Sequence, residues 1–167
     1  MSSKTHLFNY DLGMIRTYGF AALFVGGNVL LPQLAHLMPQ GGLIFLPIYF
    51  FTLIAAYKYG LATGLMVAVL SPVVNHLLFG MPMLAVLPIL LIKSGLLAVA
   101  AAMAARYFKQ VSLVALLLVV VAYQTVGTLI EWAMVGDFFV AVQDFRLGIP
   151  GMLLQVLGGW IVLRALK

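Results

Sequence analysis

Apolar residues follow one another along this chain in long unbroken runs, without the alternation of apolar and polar positions that half-buried strands show. Most runs are near the roughly 20 residues that a helix needs to cross a hydrocarbon core of about 30 Å. Strands are disfavoured because an open sheet edge leaves backbone groups without hydrogen-bond partners in lipid. The pattern predicts a single all-α domain over residues 1–167, an integral membrane bundle of six transmembrane helices. The predicted spans are 13–31, 43–57, 60–79, 84–105, 111–133 and 149–166.

Composition supports the membrane class and excludes several others. Hydrophobic residues make up 65% of the chain, charged residues only 8%, and the mean hydropathy is +1.17. The net charge of +5 does not indicate nucleic-acid binding, because the basic residues stand singly at the ends of apolar runs. The chain has no cysteine, which excludes disulfides, thiolate metal ligands and thiol nucleophiles.

The basic residues predict an orientation in the membrane. Cytoplasmic loops carry an excess of Lys and Arg, so the side that collects most of them is expected to face the cytoplasm. With both termini cytoplasmic, the opposite loops hold only Arg146 beside the acids Asp137 and Asp144, and Lys93 falls inside a span. The cytoplasmic side then receives Lys4, Arg16, Lys58, Arg106, Lys109, Arg164 and Lys167.

Polar side chains enter the predicted spans at few positions. Lys93 lies inside the fourth span, while Gln124, Thr128 and Glu131 share one face of the fifth at positions i, i+4 and i+7. Gln155 lies in the outer half of the sixth. An ionisable group in mid-helix costs roughly 2.5 to 3.5 kcal/mol on insertion scales, so it requires a partner or a purpose. The cluster predicts a pocket that opens toward the outer face.

Two interpretations of this cluster are open. Lys93 and Glu131 differ in predicted depth by about one and a half to two helical turns, so they meet only by stretching, and a bound molecule has room between them. Alternatively, Lys93 pairs with Glu131 or Gln124 while Gln155 bridges neighbouring helices, and the polar groups hold the bundle together without a ligand.

Two outer loops supply candidate caps for the pocket. In SPVVNHLLFGMP, residues 71–82, Pro72 is expected to kink the third helix, and Asn75 and His76 follow just before the helix ends. His36 lies in the first outer loop. Each cap residue is a candidate ligand contact, and each is equally natural as an interfacial or helix-ending residue.

The first span carries a face of small residues, Gly19, Ala22 and Gly26. Small residues let two helices approach closely in a membrane. This face is therefore expected to pack either inside the bundle or against another membrane subunit.

Several motifs are missing from the sequence. It contains no G-x-x-x-x-G-K-[ST] phosphate loop, no H-E-x-x-H and no G-x-S-x-G. We therefore expect a chain that is not an enzyme and that needs no cofactor, although Glu131 or His76 as a base remains a remote alternative. A metal site from His36, His76 and Glu131 ranks below organic ligand binding, because no dense ligand motif supports it.

The segment LIFLPIYFFTLIAAYKYGLATGLMVAVLSPVVNHLLFGMP, residues 43–82, resembles the second and third spans of the substrate-binding S components of energy-coupling factor (ECF) transporters, a type of ABC transporter. The likeness is carried by the YG pair, the spaced glycines and the SP…N…GMP pattern. It implies a subunit of a bacterial or archaeal cytoplasmic membrane that captures a vitamin or other micronutrient, with a separate transmembrane coupling subunit and two ATPases supplying the energy.

The resemblance also implies roles for particular residues. The pocket would be formed by Lys93, Gln124, Thr128, Glu131 and Gln155, the caps by Asn75, His76 and His36, and the coupling-subunit interface by Gly19, Ala22 and Gly26. On this hypothesis Lys93 contacts an anionic or carbonyl group of a small, partly apolar ligand, and pairing of Lys93 with Glu131 would remove that preference. The alternative function is a membrane scaffold for cell shape or envelope assembly, in which the polar cluster only fixes packing.

Overall fold

The computed structural model describes residues 7–166, and over this range the chain is helical without any strand. Four helices are long, and short helices lie between and after them. The helices are α1 (Ile15–Ala35), α2 (Gly41–Phe45), α3 (Phe50–Tyr59), α4 (Leu61–Phe79), α5 (Leu87–Phe108), α6 (Leu113–Val135), α7 (Phe138–Ala141), α8 (Gln143–Leu147), α9 (Ile149–Leu153) and α10 (Gly159–Ala165). A 3₁₀ turn, Pro47–Tyr49, joins α2 to α3, and a π-helical turn, Leu154–Gly158, joins α9 to α10.

Within residues 7–166, five helical stretches are long and apolar enough to cross a membrane, judged by length and composition. They are Ile15–Ala35, Gly41–Tyr59, Leu61–Phe79, Leu87–Phe108 and Leu113–Val135. Ile149–Ala165 is apolar but shorter than 18 residues. The predicted helical membrane bundle is confirmed at this level, and the count of six spans stays a prediction.

The second stretch is broken at Leu46. This residue adopts a left-handed conformation, with φ 46° and ψ 47°, which a non-glycine residue rarely does. The break lets α2 turn and pack against α9, where a Cβ on Gly151 would lie 2.5 Å from the Phe45 carbonyl oxygen. The glycine therefore makes room for α2 at the rim of the bundle.

Helix α3 forms the centre of the bundle and packs against α1, α4 and α5. Leu53, Ile54 and Tyr57 are fully buried. Gly64 of α4 lies so close to Ala56 of α3 that a methyl group there would collide with it. The missing side chain at Gly64 thus allows α3 and α4 to pack closely, and α4 continues through the buried Pro72 to its C-cap at Gly80.

A buried hydrogen-bond network, absent from the sequence-based expectations, joins α1, α3 and α4. The Asn28 Nδ2 atom donates to the hydroxyl oxygens of Thr52, at 3.0 Å, and Ser71, at 3.1 Å. The Phe51 backbone N–H donates to Asn28 Oδ1 at 3.2 Å. Asn75 Nδ2 adds bonds to the backbone carbonyls of Asn28 and Ser71, both at 2.9 Å. In an apolar bundle these bonds set the register of the three helices.

Both ends of the described chain lie at one end of the bundle. The Phe8 backbone N–H donates to the Lys58 carbonyl at 2.7 Å, and the Lys58 ammonium donates to the carbonyl of Leu166. Arg106 donates to Asn9 Oδ1 at 3.2 Å at the same end. We call this the termini end and the opposite one the cavity end. Lys4 and Lys167, which were counted with the basic side, lie outside the described residues.

We predict that Asn28→Ala destabilises the isolated protein by about 2 kcal/mol, because three hydrogen bonds of its side chain are lost inside the bundle. Thermal or denaturant unfolding in detergent measures the change. Gly26→Ala is the matched control on the same helix, since a Cβ at Gly26 meets open space. Equal stability of the two variants would show that the network contributes nothing to the fold.

Candidate ligand-binding site

A cavity of about 460 Å³ lies at the cavity end of the bundle. Its walls come from the segment after α1, from the loop between α4 and α5, from the first turns of α5 and from the segment after α6. Most of the lining is apolar and includes Leu43, Leu46, Pro47, Ile48, Met81, Pro82, Met83, Val86, Ile89, Leu90 and Val140. The cavity therefore offers an apolar chamber with a few polar groups, the usual composition of a small-molecule site.

The main polar feature is an ion cluster built around Lys93. The Lys93 Nζ atom lies 2.6 Å from Glu131 Oε2 and 2.6 Å from Asp144 Oδ2. The lysine side chain is 2% exposed and the two carboxylates are each 15% exposed. Helices α5, α6 and α8 each contribute one charge, so the cluster ties the segment after α6 to the bundle.

Of the two arrangements that the sequence left open, the structure has direct pairing of Lys93 with Glu131, without a gap between them. The lysine side chain lies across Gly127, where an added Cβ would be 2.7 Å from Lys93 Cγ. Glu131 is one helical turn beyond Gly127 on the same face of α6, so the lysine stem covers the predicted difference in depth. The ammonium already has two anionic partners, and the expected preference for an anionic ligand group loses its basis.

Asp144 and Gly127 were not among the predicted site residues. In the sequence, Asp144 is an acid in a predicted outer loop, 51 residues from Lys93, and no pattern relates the two positions. The lack of a side chain at Gly127 was a possible signal, because a glycine one turn before a partly buried glutamate leaves room for a long neighbour.

The predicted cap residues occupy different positions. Asn75 is 1% exposed and lines the cavity, and its Oδ1 atom has no hydrogen-bond partner among the described residues. His36 also lines the cavity, with its Nε2 atom close to Gly42. His76 is outside the lining, and its Nδ1 donates to the Pro82 carbonyl at 2.8 Å. His76 therefore holds the loop that contributes Met81 to Met83 and does not itself face the chamber.

Three predicted pocket residues are buried but do not line the cavity, namely Gln124, Thr128 and Gln155. The Gln155 Oε1 atom accepts a hydrogen bond from the Tyr123 hydroxyl at 2.9 Å. Neither amide atom of Gln124 has a partner among the described residues, and the same holds for the Thr128 hydroxyl. The stripe on the fifth span was placed on the correct, inward face, but only its last member, Glu131, reaches the cavity.

A metal site receives no support from residues 7–166, where no group of three or more His, Asp or Glu side chains is arranged to hold an ion. Of the suggested set, His76 is bonded to a backbone carbonyl and Glu131 to Lys93.

The small-residue face of α1 points away from the bundle. Gly19, Ala22 and Gly26 are exposed, and a Cβ added at either glycine would meet nothing within 4 Å. Of the two expected arrangements, packing inside the bundle is excluded, and the face is open along the side of the molecule.

Comparisons with protein-family models, with curated proteins and with solved structures gave no match. The chemistry of the site is therefore argued from its own geometry.

We predict that Lys93→Met lowers the free energy of unfolding by about 3–5 kcal/mol, because it leaves two partly buried carboxylates without their cation. Combining it with Glu131→Gln and Asp144→Asn is expected to restore most of the loss. Unfolding in detergent compares the single and triple variants. Lys109→Met, at an exposed position, is the control. A triple variant no more stable than the single one would mean that charge pairing is not what holds Lys93.

Proposed function

We propose that this chain is the substrate-capture subunit of an ECF-type importer, binding a vitamin or other micronutrient in the cavity. The observation that supports it is the chamber of about 460 Å³, which is within the roughly 300–1,000 Å³ range of small-molecule sites. Helices α4, α5 and α6 each contribute one polar side chain to its lining, namely the buried Asn75 and Lys93 and the partly buried Glu131. In this proposal the chain itself catalyses no reaction and uses no cofactor.

The orientation belongs to the same proposal. Lys58, Arg106 and Lys109 lie at the termini end, whereas the cavity end carries Arg146 with Asp137 and Asp144. Under the positive-inside rule the termini face the cytoplasm and the cavity opens outside the cell. Ile149–Ala165 serves as the sixth span, shortened because α7 and α8 fold over the cavity end. The location is the cytoplasmic membrane of a bacterium or archaeon.

Capture requires groups that orient the ligand. Asn75 offers an unpaired carbonyl oxygen, His36 a ring nitrogen, and Glu131 and Asp144 the carboxylate groups that also contact Lys93. His76 and Gln155 act indirectly, by holding the loop and the helix behind the cavity wall. Gln124 and Thr128 carry buried polar atoms without partners among the described residues, and both residues are outside the cavity lining.

Release of the ligand into the cell requires energy. The sequence contains no phosphate loop with which this chain could hydrolyse ATP. A transmembrane coupling subunit with two ATPases is the partner that the proposal requires. The open face of α1, formed by Gly19, Ala22 and Gly26, is the proposed contact, because small residues admit a second helix at close range.

A second candidate function is a membrane scaffold for cell shape or envelope assembly. The direct pairing of Lys93 with Glu131 and Asp144 favours it, since those polar groups then satisfy one another without a ligand. Neither candidate involves nucleic acid.

We predict that the purified chain is stabilised by at least one member of a micronutrient panel, measured by thermal shift and by native mass spectrometry. Leu90→Trp, which fills the cavity, is expected to abolish that stabilisation. Leu117→Trp makes the same change on an exposed position of α6 and is expected to leave it unchanged. Capture is rejected if no compound binds, or if Leu90→Trp binds as the parent does.

We further predict that the chain co-purifies with ATPase and coupling subunits from its own membrane, and that Gly26→Leu disrupts this complex but leaves ligand stabilisation intact. The added side chain projects into the open space beside α1 and keeps a second helix away. Gly95→Leu, where a Cβ also meets open space on α5, is the control. Recovery of envelope-assembly proteins in place of ATPases would favour the scaffold.

A further inference from the structure

The charges that line the cavity do not balance. Lys93 supplies one positive charge, and Glu131 and Asp144 supply two negative charges. The other described lining residues carry no formal charge, apart from His36 when it is protonated. With all three groups of the cluster ionised, the chamber holds an excess of one negative charge.

An uncompensated charge in an apolar chamber is costly, and it attracts an opposite charge more strongly there than in water. Lys93 cannot neutralise both carboxylates, and the next described cation along the same segment, Arg146, does not line the cavity. The site is therefore electrostatically suited to a further positive charge and opposed to a negative one.

An independent feature points the same way. The Oδ1 atom of Asn75 is buried, unpaired and part of a side chain that lines the chamber. Its orientation is held because Nδ2 of the same amide already donates to two backbone carbonyls of the helix network. A carbonyl oxygen accepts hydrogen bonds only, so the site presents a fixed acceptor to a donor on the ligand.

We propose that the ligand is an organic cation with an apolar body, whose ammonium or other charged N–H group binds between the carboxylates of Glu131 and Asp144 and the Asn75 amide oxygen. The apolar body lies against walls such as Ile48, Ile89 and Leu90. This inference rests on the proposed capture function and names the class of substrate. A cationic ligand takes the place of the anionic or carbonyl-bearing ligand that was expected from Lys93 alone.

Three matched probes test the charge preference on the full-length chain in detergent. They are 2-phenylethylamine, 2-phenylethanol and phenylacetate, which share an aromatic body and differ in the charge of the head group. Dissociation constants from ligand-observed NMR titration are expected to favour the amine over the alcohol by about tenfold or more, with the acid weakest.

Asp144→Asn is expected to reduce the preference for the amine over the alcohol by about tenfold, since it removes the excess charge and keeps the shape. Asp137→Asn is the control, because Asp137 is on the same segment, outside the lining, and caps α7 through bonds that Asn also accepts. Glu131→Gln provides the same charge change on another helix if Asp144→Asn does not fold.

The outcomes distinguish the proposal that the ligand is a cation from the proposal that the chain captures a ligand at all. If the alcohol or the acid binds as tightly as the amine, or if neither carboxylate variant changes the preference, the cation proposal is overturned while capture stands. If none of the three probes binds, the cation proposal is likewise overturned. The proposed capture function is rejected as well only if no compound of the micronutrient panel stabilises the protein.

Discussion

The structure depends above all on the burial of one ammonium group among apolar helices. Lys93 is almost inaccessible, and it persists there because carboxylates from two other segments meet it at 2.6 Å. A buried charge without such partners would be expelled, neutralised or paired elsewhere. The cluster thus imposes a constraint on topology, since Asp144 must be brought back over the bundle by the short helices after α6. The same constraint closes one side of the cavity and gives it a negative excess.

The Asn28 network reaches the cavity through one of its members, Asn75. It joins three helices through buried side chains that hydrogen-bond to one another and to the backbone. It also holds the amide of Asn75 in one orientation. Glycines permit both arrangements. Gly64 admits α3 against α4, and Gly127 admits the stem of Lys93 against α6. The contacts that pack the helices together therefore also position the polar side chains that line the cavity.

Much of this architecture could be predicted from the pattern of residues. The long apolar runs indicated helices close to their final bounds, the third predicted span ended at residue 79 as α4 does, and the i, i+4, i+7 stripe identified the inward face of α6. The break at Leu46 and the short helices of residues 138–153 were beyond such reasoning, since both follow from packing against distant segments. Among the candidate site residues, Lys93, Glu131, Asn75 and His36 line the cavity, whereas Gln124, Thr128, Gln155 and His76 lie behind its walls.

By itself, the sequence determined that this is a helical membrane bundle with scarce, inward-facing polar groups, because hydropathy and helical periodicity are local properties that every residue carries with it. Only the tertiary structure decided which of those groups meet. Asp144 is 51 residues from Lys93 along the chain, and no periodicity relates them. Their contact forms because α8 folds back over α5 and α6. The same fold adds the carboxylate of Asp144 to the cavity lining and so makes the net charge of the cluster negative.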